Sequence, residues 1–237
     1  MSGSDYIGTE LELFSEARNW KTYLYSEVKD YLRGRVLEVG AGTGDTTSVF
    51  CDGTQEHWLC LEPDGKFAEI LGSKIRKGDI APCCSAKQGT LAEVPTEPKF
   101  DSILYVNVLE HLADAEGELR GAVQRLKTGG FLVIVAPAHP CLYSRFDQAI
   151  GHHRRYSKES LTKNIPPPLE RVTCRYLDSM GTLCSLANRH LLKREQPTKG
   201  QIWFWDRMII PCSRLVDPLM RHTSGRSLLA VYRNRPS

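Results

Sequence analysis

Arg35-Val-Leu-Glu-Val-Gly40-Ala-Gly42-Thr-Gly44-Asp45 is a short β-branched run that enters a turn with glycine at every second position. Such a run reads as a strand passing into a tight turn where the backbone can approach a ligand closely, because no Cβ intervenes. Upstream, apolar residues from Trp20 to Leu32 recur every three or four positions and predict a helix over Ser15–Leu32, stopped by Gly34. Downstream, His57–Glu62 reads as a second strand and Lys66–Ile75 as a helix. Pro82–Lys87 reads as a weak third strand, Asp101–Asn107 as a fourth, and Asp114–Leu126 as a helix. Phe131–Ala136 is apolar enough for a strand covered on both faces. A short helix over Lys158–Asn164, a sixth strand over Glu170–Leu177 and a last strand over Ser227–Tyr232 complete the pattern. Strands alternating with helices predict an α/β fold. The expected form is a Rossmann-like, seven-stranded, mostly parallel sheet with helices on both faces. Residues 180–222 read as a helical insertion before the last strand.

The chain has 237 residues, 41% of them hydrophobic and 25% charged. That composition excludes disordered, collagen-like and coiled-coil classes and fits one domain over residues 1–237. Within it, residues 15–136 are expected to form a cofactor-binding half and 137–237 an acceptor-binding half. No apolar run approaches a membrane span, and the start lacks a basic then apolar leader, so a soluble cytoplasmic protein is expected. The net charge of +3 hides an asymmetry: residues 151–237 hold 16 Lys/Arg against 6 Asp/Glu, residues 1–150 15 against 22. The basic third is either a solvated face or a surface turned to something anionic. The eight cysteines include no C-x-x-C pair, and no histidine pair completes a zinc pattern. No metal is expected, and the thiols read as reduced.

The glycine loop has the spacing G-x-G-x-G, with Asp45 where a dinucleotide fingerprint has its last glycine and Glu38 just before the turn. Both carboxylates would repel a pyrophosphate, so the loop suits a ligand without phosphates. Glu62 ends the next strand in Leu61-Glu62-Pro63-Asp64, where a carboxylate can accept both ribose hydroxyls; Asp64 reads as a helix cap.

Together, VLEVGAGTG and LEPD resemble the class I S-adenosylmethionine-dependent methyltransferases. FDSILYVNVLEHL around the fourth strand and LKTGGFLV before the fifth extend the resemblance over residues 35–136. It implies S-adenosylmethionine as cofactor. Glu38 with the Gly40, Ala41 and Gly42 backbone would hold the methionine part, Glu62 the ribose with Pro63 beside it, and Thr90 and Leu91 would flank the adenine. Asn107 and Val108 would line the floor near the sulfonium. Many relatives carry Asp at the position of Thr90, which weakens that contact.

After the fifth strand comes a dense polar segment: His139, Tyr143, Asp147, then Gly151-His152-His-Arg154-Arg155-Tyr156. In an open α/β sheet such loops form the site. His139 and His152 are the candidate bases, and Tyr143, Arg154, Arg155 and Tyr156 the candidate acceptor contacts. The competing reading is a loop pinned to the sheet by Asp147 paired with Arg154 or Arg155. His111 fits a supporting role, and Glu110 could hold an amine acceptor. NVLEH followed by LY-x3-D-x3-GH-x-RRY-S resembles a bacterial-type small-molecule subgroup of the same methyltransferases. Members of that subgroup share no one acceptor; the leading expectation is methyl transfer to an O or N atom of a small metabolite or natural-product intermediate, polar or anionic on the strength of the basic C-terminal third, by a monomer or homodimer. Two alternatives stand beside it: a lipid-linked or glycosylated substrate at a membrane surface, and a non-catalytic cofactor-binding subunit. No nucleic-acid partner is expected, because no Asn/Asp-Pro-Pro-Tyr/Trp motif follows the fourth strand. Ile202-Trp203-Phe204-Trp205 cannot all face one core, and at least one aromatic is expected to project outwards.

Overall fold

The structure is a computed structural model that describes residues 14–182 and 198–236. Seven strands form one sheet: β1 (Arg35–Val39), β2 (His57–Glu62), β3 (Cys84–Gln88), β4 (Phe100–Val106), β5 (Leu126–Pro137), β6 (Leu169–Leu177) and β7 (Ser227–Asn234). Their order is β3-β2-β1-β4-β5-β7-β6; β7 runs antiparallel to both neighbours and the other pairs are parallel. The expected sheet, strand count and mostly parallel sense are all present.

Alternate residues of each central strand serve opposite faces. Leu104, Val133 and Val231 pack with Trp20, Tyr23 and Leu24 of helix α1 (Arg18–Val28). Ile103, Leu132 and Ala230 pack with Leu119 and Ala122 of α4 (Ala115–Arg125) on the other face. Two-sided coverage explains the unbroken apolar run of β5. Between them lie α2 (Thr47–Phe50) and α3 (Gly65–Lys77). Asp64 caps α3, accepting from the backbone N–H groups of Lys66 and Phe67.

Element ends depart from the sequence reading where tertiary contacts intervene. The first helix starts at Arg18 rather than Ser15, and its last turn is a tighter 3-10 turn over Lys29–Tyr31. At its start the Trp20 and Asn19 N–H groups donate to the Asp206 carboxylate at 2.9 and 3.2 Å, a cap supplied from far along the chain. The third strand begins at Cys84, two residues later than the composition suggests, and β5 begins at Leu126, which pairs with Phe100 across a register shift.

Beyond β5 come α5 (Arg145–Ala149) and α6 (Lys158–Lys163). The expected insertion begins with a helical turn at residues 179–182, and residues 183–197 lie outside the described part. It continues as α7 (Lys199–Phe204), a π-helical turn (Trp205–Ile209) and α8 (Ile210–Leu219). Asp217, fully buried, accepts from the Tyr23 hydroxyl at 2.8 Å and from the Asp178 and Ser179 backbone N–H groups at 2.7 and 2.9 Å. It ties α8 to α1 and to the end of β6. Asp217→Ala strands three buried donors and is expected to lower unfolding free energy by roughly 3 kcal/mol, measured by urea denaturation.

Candidate active site

The strand order reverses between β1 and β4, so the chain leaves their carboxyl ends in opposite directions and a crevice opens there. A cavity of about 420 Å³ occupies it. One wall is the glycine turn. Gly40 has a φ of +70°, and a Cβ there would stand 2.6 Å from Val108 Cγ2 on the loop after β4. Only glycine meets both conditions.

Eight of the ten residues expected at the cofactor line this cavity: Glu38, Gly40, Ala41, Gly42, Glu62, Pro63, Asn107 and Val108. Glu38 is buried and accepts from the Thr47 hydroxyl and Trp58 Nε1 at 2.7 and 2.9 Å. Burial pushes its carboxyl up to about 7, against those two hydrogen bonds and helped by the Glu62 charge. Glu62 accepts from the Gly42 N–H at 2.7 Å and the Asp64 N–H at 3.0 Å. A carboxylate has about four lone-pair sites, so Glu62 keeps capacity for two hydroxyls. Asp45 also borders the cavity, but its carboxylate pairs with Lys74 at 2.7 Å, which offsets its charge there. Thr90 and Leu91 are not among the cavity residues. The Thr90 side chain closes a capping box with Glu93, and Leu91 is buried in the α4 side of the core.

The far end of the cavity holds Glu110, His111, Asp147, His152 and Arg155. His152 Nδ1 stands 3.0 Å from Asp147 Oδ1. Although burial works the other way, His152, Arg155 and Ser144 hold the Asp147 carboxyl well below the usual carboxylate range. An ionised Asp147 can only accept, so the hydrogen-bond network assigns the proton to Nδ1. His152 Nε2 is left without a hydrogen-bond partner, 3.9 Å from Glu110 Oε1. His111 stacks edge-on against His152 at 4.6 Å between centroids, and burial, with the neighbouring His152, lowers its pKa to about 4.

The two candidate bases part company here. His139 directly follows β5 but is absent from the cavity wall: with φ +61° its ring turns away and stacks on Tyr176 at 4.7 Å. Among the acceptor candidates only Arg155 reaches the wall, and its guanidinium donates to Asp147 at 2.9 Å. Tyr143 donates to the His152 carbonyl, Arg154 to the Ala113 carbonyl and Tyr156 to the Leu109 carbonyl. These three build the loop that carries His152. Of the described basic residues in the C-terminal third, Arg155 and Arg226 line the cavity and the others do not.

Sequence reading gave no cavity role to Lys21, Phe146 or Arg226, all of which line it. Trp205 also lines it; of the three neighbouring aromatics it faces in, while Trp203 and Phe204 face out. Their signal was weak, because each comes from an element whose packing partner lies far away in sequence. Two groups of donor atoms, each within 4.8 Å of one another, could hold a metal ion: Glu110 with His111 and His152, and Cys51 with Cys83 and Cys84. Neither group was visible from spacing.

A sheet in this order, with an acid-lined glycine turn at the switch point, defines the class I, S-adenosylmethionine-dependent methyltransferases. Residues 37–132 match the family described as a methyltransferase domain, and that stretch together with the fold supports a methyltransferase of this class. A Vibrio campbellii relative, "Ubiquinone/menaquinone biosynthesis C-methyltransferase UbiE", is 30% identical over 111 residues, 46% of this chain and 43% of the relative. The chain thus spans less than half the length of that curated relative. Among solved structures, a SAM-dependent methyltransferase from Thermotoga maritima superposes with a TM-score of 0.62 at 19% identity, covering 97% of this chain and 96% of that one. Geranyl diphosphate methyltransferase in complex with SAM gives 0.64 at 13% identity, covering 98% and 93%. At such identities the superpositions establish the fold.

The cavity fits that cofactor on its own chemistry: a glycine cradle, a carboxylate with spare acceptor sites, and buried acids suited to a sulfonium and an ammonium. The charge on Glu38 sets a pH dependence. Its ionised form attracts the cation, so calorimetric affinity for S-adenosylmethionine is expected to rise severalfold from about pH 6 to about pH 8, levelling above the Glu38 pKa. Glu38→Gln should flatten that rise. Gly40→Ala should abolish binding, since the new methyl group would displace Val108.

Proposed function

We propose that the chain transfers a methyl group from S-adenosylmethionine to an oxygen or nitrogen atom of a small polar metabolite or natural-product intermediate. The observation that carries this reading is the Asp147–His152 pair, set in the same cavity as the acid-lined glycine turn. The cofactor supplies an electrophilic methyl group for in-line displacement. Glu38 and Glu62 would hold its cationic and ribose ends, and Asn107 and Val108 line the same cavity. Trp20, Phe146 and Trp205 exclude water from the acceptor's approach. Asp147 fixes the tautomer and direction of His152, whose Nε2 takes the acceptor's proton as the new bond forms. Arg155 anchors Asp147 and so keeps the base in place.

The curated relative is named as a C-methyltransferase, which supports a carbon acceptor as the second reading. Proton removal by His152 serves a carbon acid equally well. Mass spectrometry and NMR of the product separate the two.

His152→Ala is expected to cut turnover by roughly 10²–10⁴-fold with cofactor affinity retained, whereas His139→Ala should stay within about twofold of wild type. Equal losses in both variants overturn the assignment. Loss of turnover on chelation, restored by a divalent ion, would reassign Glu110, His111 and His152 to metal binding. Calorimetry that finds no S-adenosylmethionine binding would sink the reading altogether.

A further inference from the structure

The helical stretch before β7 buries Ile202, Trp205 and Ile210 as expected, but it also buries polar side chains and exposes large apolar ones. Asp206, Ser213 and Asp217 lie on its buried side, at 3%, 0% and 0% exposure. Each is satisfied by hydrogen bonds: Asp206 by the start of α1, Asp217 by Tyr23 and the end of β6, and Ser213 by donating to Asp178. Its outward side carries Phe204, Met208, Leu215 and Leu219, exposed to 52, 54, 73 and 83%. Phe204 and Met208 flank the buried Asp206 at two residues, and Leu215 and Leu219 follow the buried Ser213 and Asp217 at two residues, so all four lie on the side away from the body and form one stripe. Trp203, 59% exposed, widens the stripe at its start.

The exposed charges of the stretch itself have one sign. Arg207 and Arg214 are exposed on the helical stretch and Arg221 just beyond its end, and the acids of the stretch from Lys199 to Arg221 are the two buried aspartates. A stripe of large apolar side chains flanked by arginines, with Trp and Phe at one end, is the pattern of a helix lying in a membrane interface. Self-association through this side would gather both sets of arginines without an acid from the stretch to offset them. An anionic surface offers the complementary charge.

We propose that this face docks on an anionic lipid bilayer, with the helix axis in the membrane plane. Phe204, Met208, Leu215 and Leu219 enter the boundary between headgroups and acyl chains, and the three arginines meet lipid phosphates. No helix among the described residues is long and apolar enough to cross a membrane, so the contact is peripheral. Trp205, on the inward side of the same stretch, lines the cavity, which brings the docked face within one helix diameter of the cavity wall.

The test is cosedimentation of the full chain with vesicles of phosphatidylcholine alone and with phosphatidylserine added, read without turnover so that it is independent of the methyl-transfer reading. Binding is expected with the anionic vesicles, weakening severalfold at about 0.5 M salt. The double variant Leu215→Glu/Leu219→Glu should lower partitioning by roughly tenfold or more while cofactor affinity and circular dichroism stay unchanged. Arg207→Gln/Arg214→Gln should remove the preference for anionic vesicles. Absence of binding at low salt overturns the proposal, as does wild-type binding by the glutamate variant. Light scattering that shows a dimer in the wild type and a monomer in that variant also overturns it, because the stripe would then be a contact between two copies.

Discussion

Gly40 and Val108 stand so close that one additional methyl group would not fit between them, and the crevice depends on that approach. It is where the turn after β1 and the loop after β4 meet before the sheet's connections diverge. The glycine turn can then lie across the top of the sheet, with Gly42 N–H donating to Glu62 at the end of β2. Glu62 therefore acts twice. It pins the turn to the neighbouring strand, and its remaining lone pairs face the cavity. Glu38 does the equivalent from below, held by Thr47 of α2 and Trp58 of β2. This end of the cavity is thus built from the ends of three strands, β1, β2 and β4, and the turns that follow them.

The opposite end is organised by burying carboxylates rather than by backbone approach. Asp147 ties together Ser144, His152 and Arg155 within one polar loop. Asp206 and Asp217 anchor the late helical stretch to α1, and Asp178 accepts from Trp205 Nε1 and Ser213. Each of these acids is satisfied by several donors, the condition under which a buried charge is tolerated. This also explains the mixed polarity of that stretch. Its inner side combines these committed polar groups with Ile202, Trp205 and Ile210, and Phe204, Met208, Leu215 and Leu219 are left outside.

Much of the sheet was legible because strand signals are local. β-branched runs, turn residues and the distance from a glycine loop to the acid ending the next strand survive without knowledge of tertiary partners. The eight cavity-wall residues read from the sequence follow from that logic, since all sit at strand ends or in the turns that follow them. Thr90 and Leu91 also follow a strand, but β3 is an edge strand and its loop folds onto Glu93 and the α4 core instead of the crevice. His139 lies off the cavity wall for a related reason. Nearness to β5 in sequence says nothing about a φ of +61°, which rotates its ring onto Tyr176. His152 lies thirteen residues further on and is returned to the crevice by the α5 loop, an event that spacing does not encode.

The late helical stretch exposes the deeper limit of reading hydropathy. Periodicity identifies a two-sided helix but not which side is inside; that is normally supplied by assuming that apolar residues face the core. Here the assumption fails because the core offers Tyr23, the end of β6 and the unsatisfied N-terminus of α1, all of which require acceptors. An acceptor-poor helix docked there would leave those donors buried and unpaired, a larger penalty than exposing a few apolar side chains. The polarity of the helix is therefore set by the hydrogen-bonding demand of what it packs against, and the apolar stripe facing outwards is the consequence of meeting that demand.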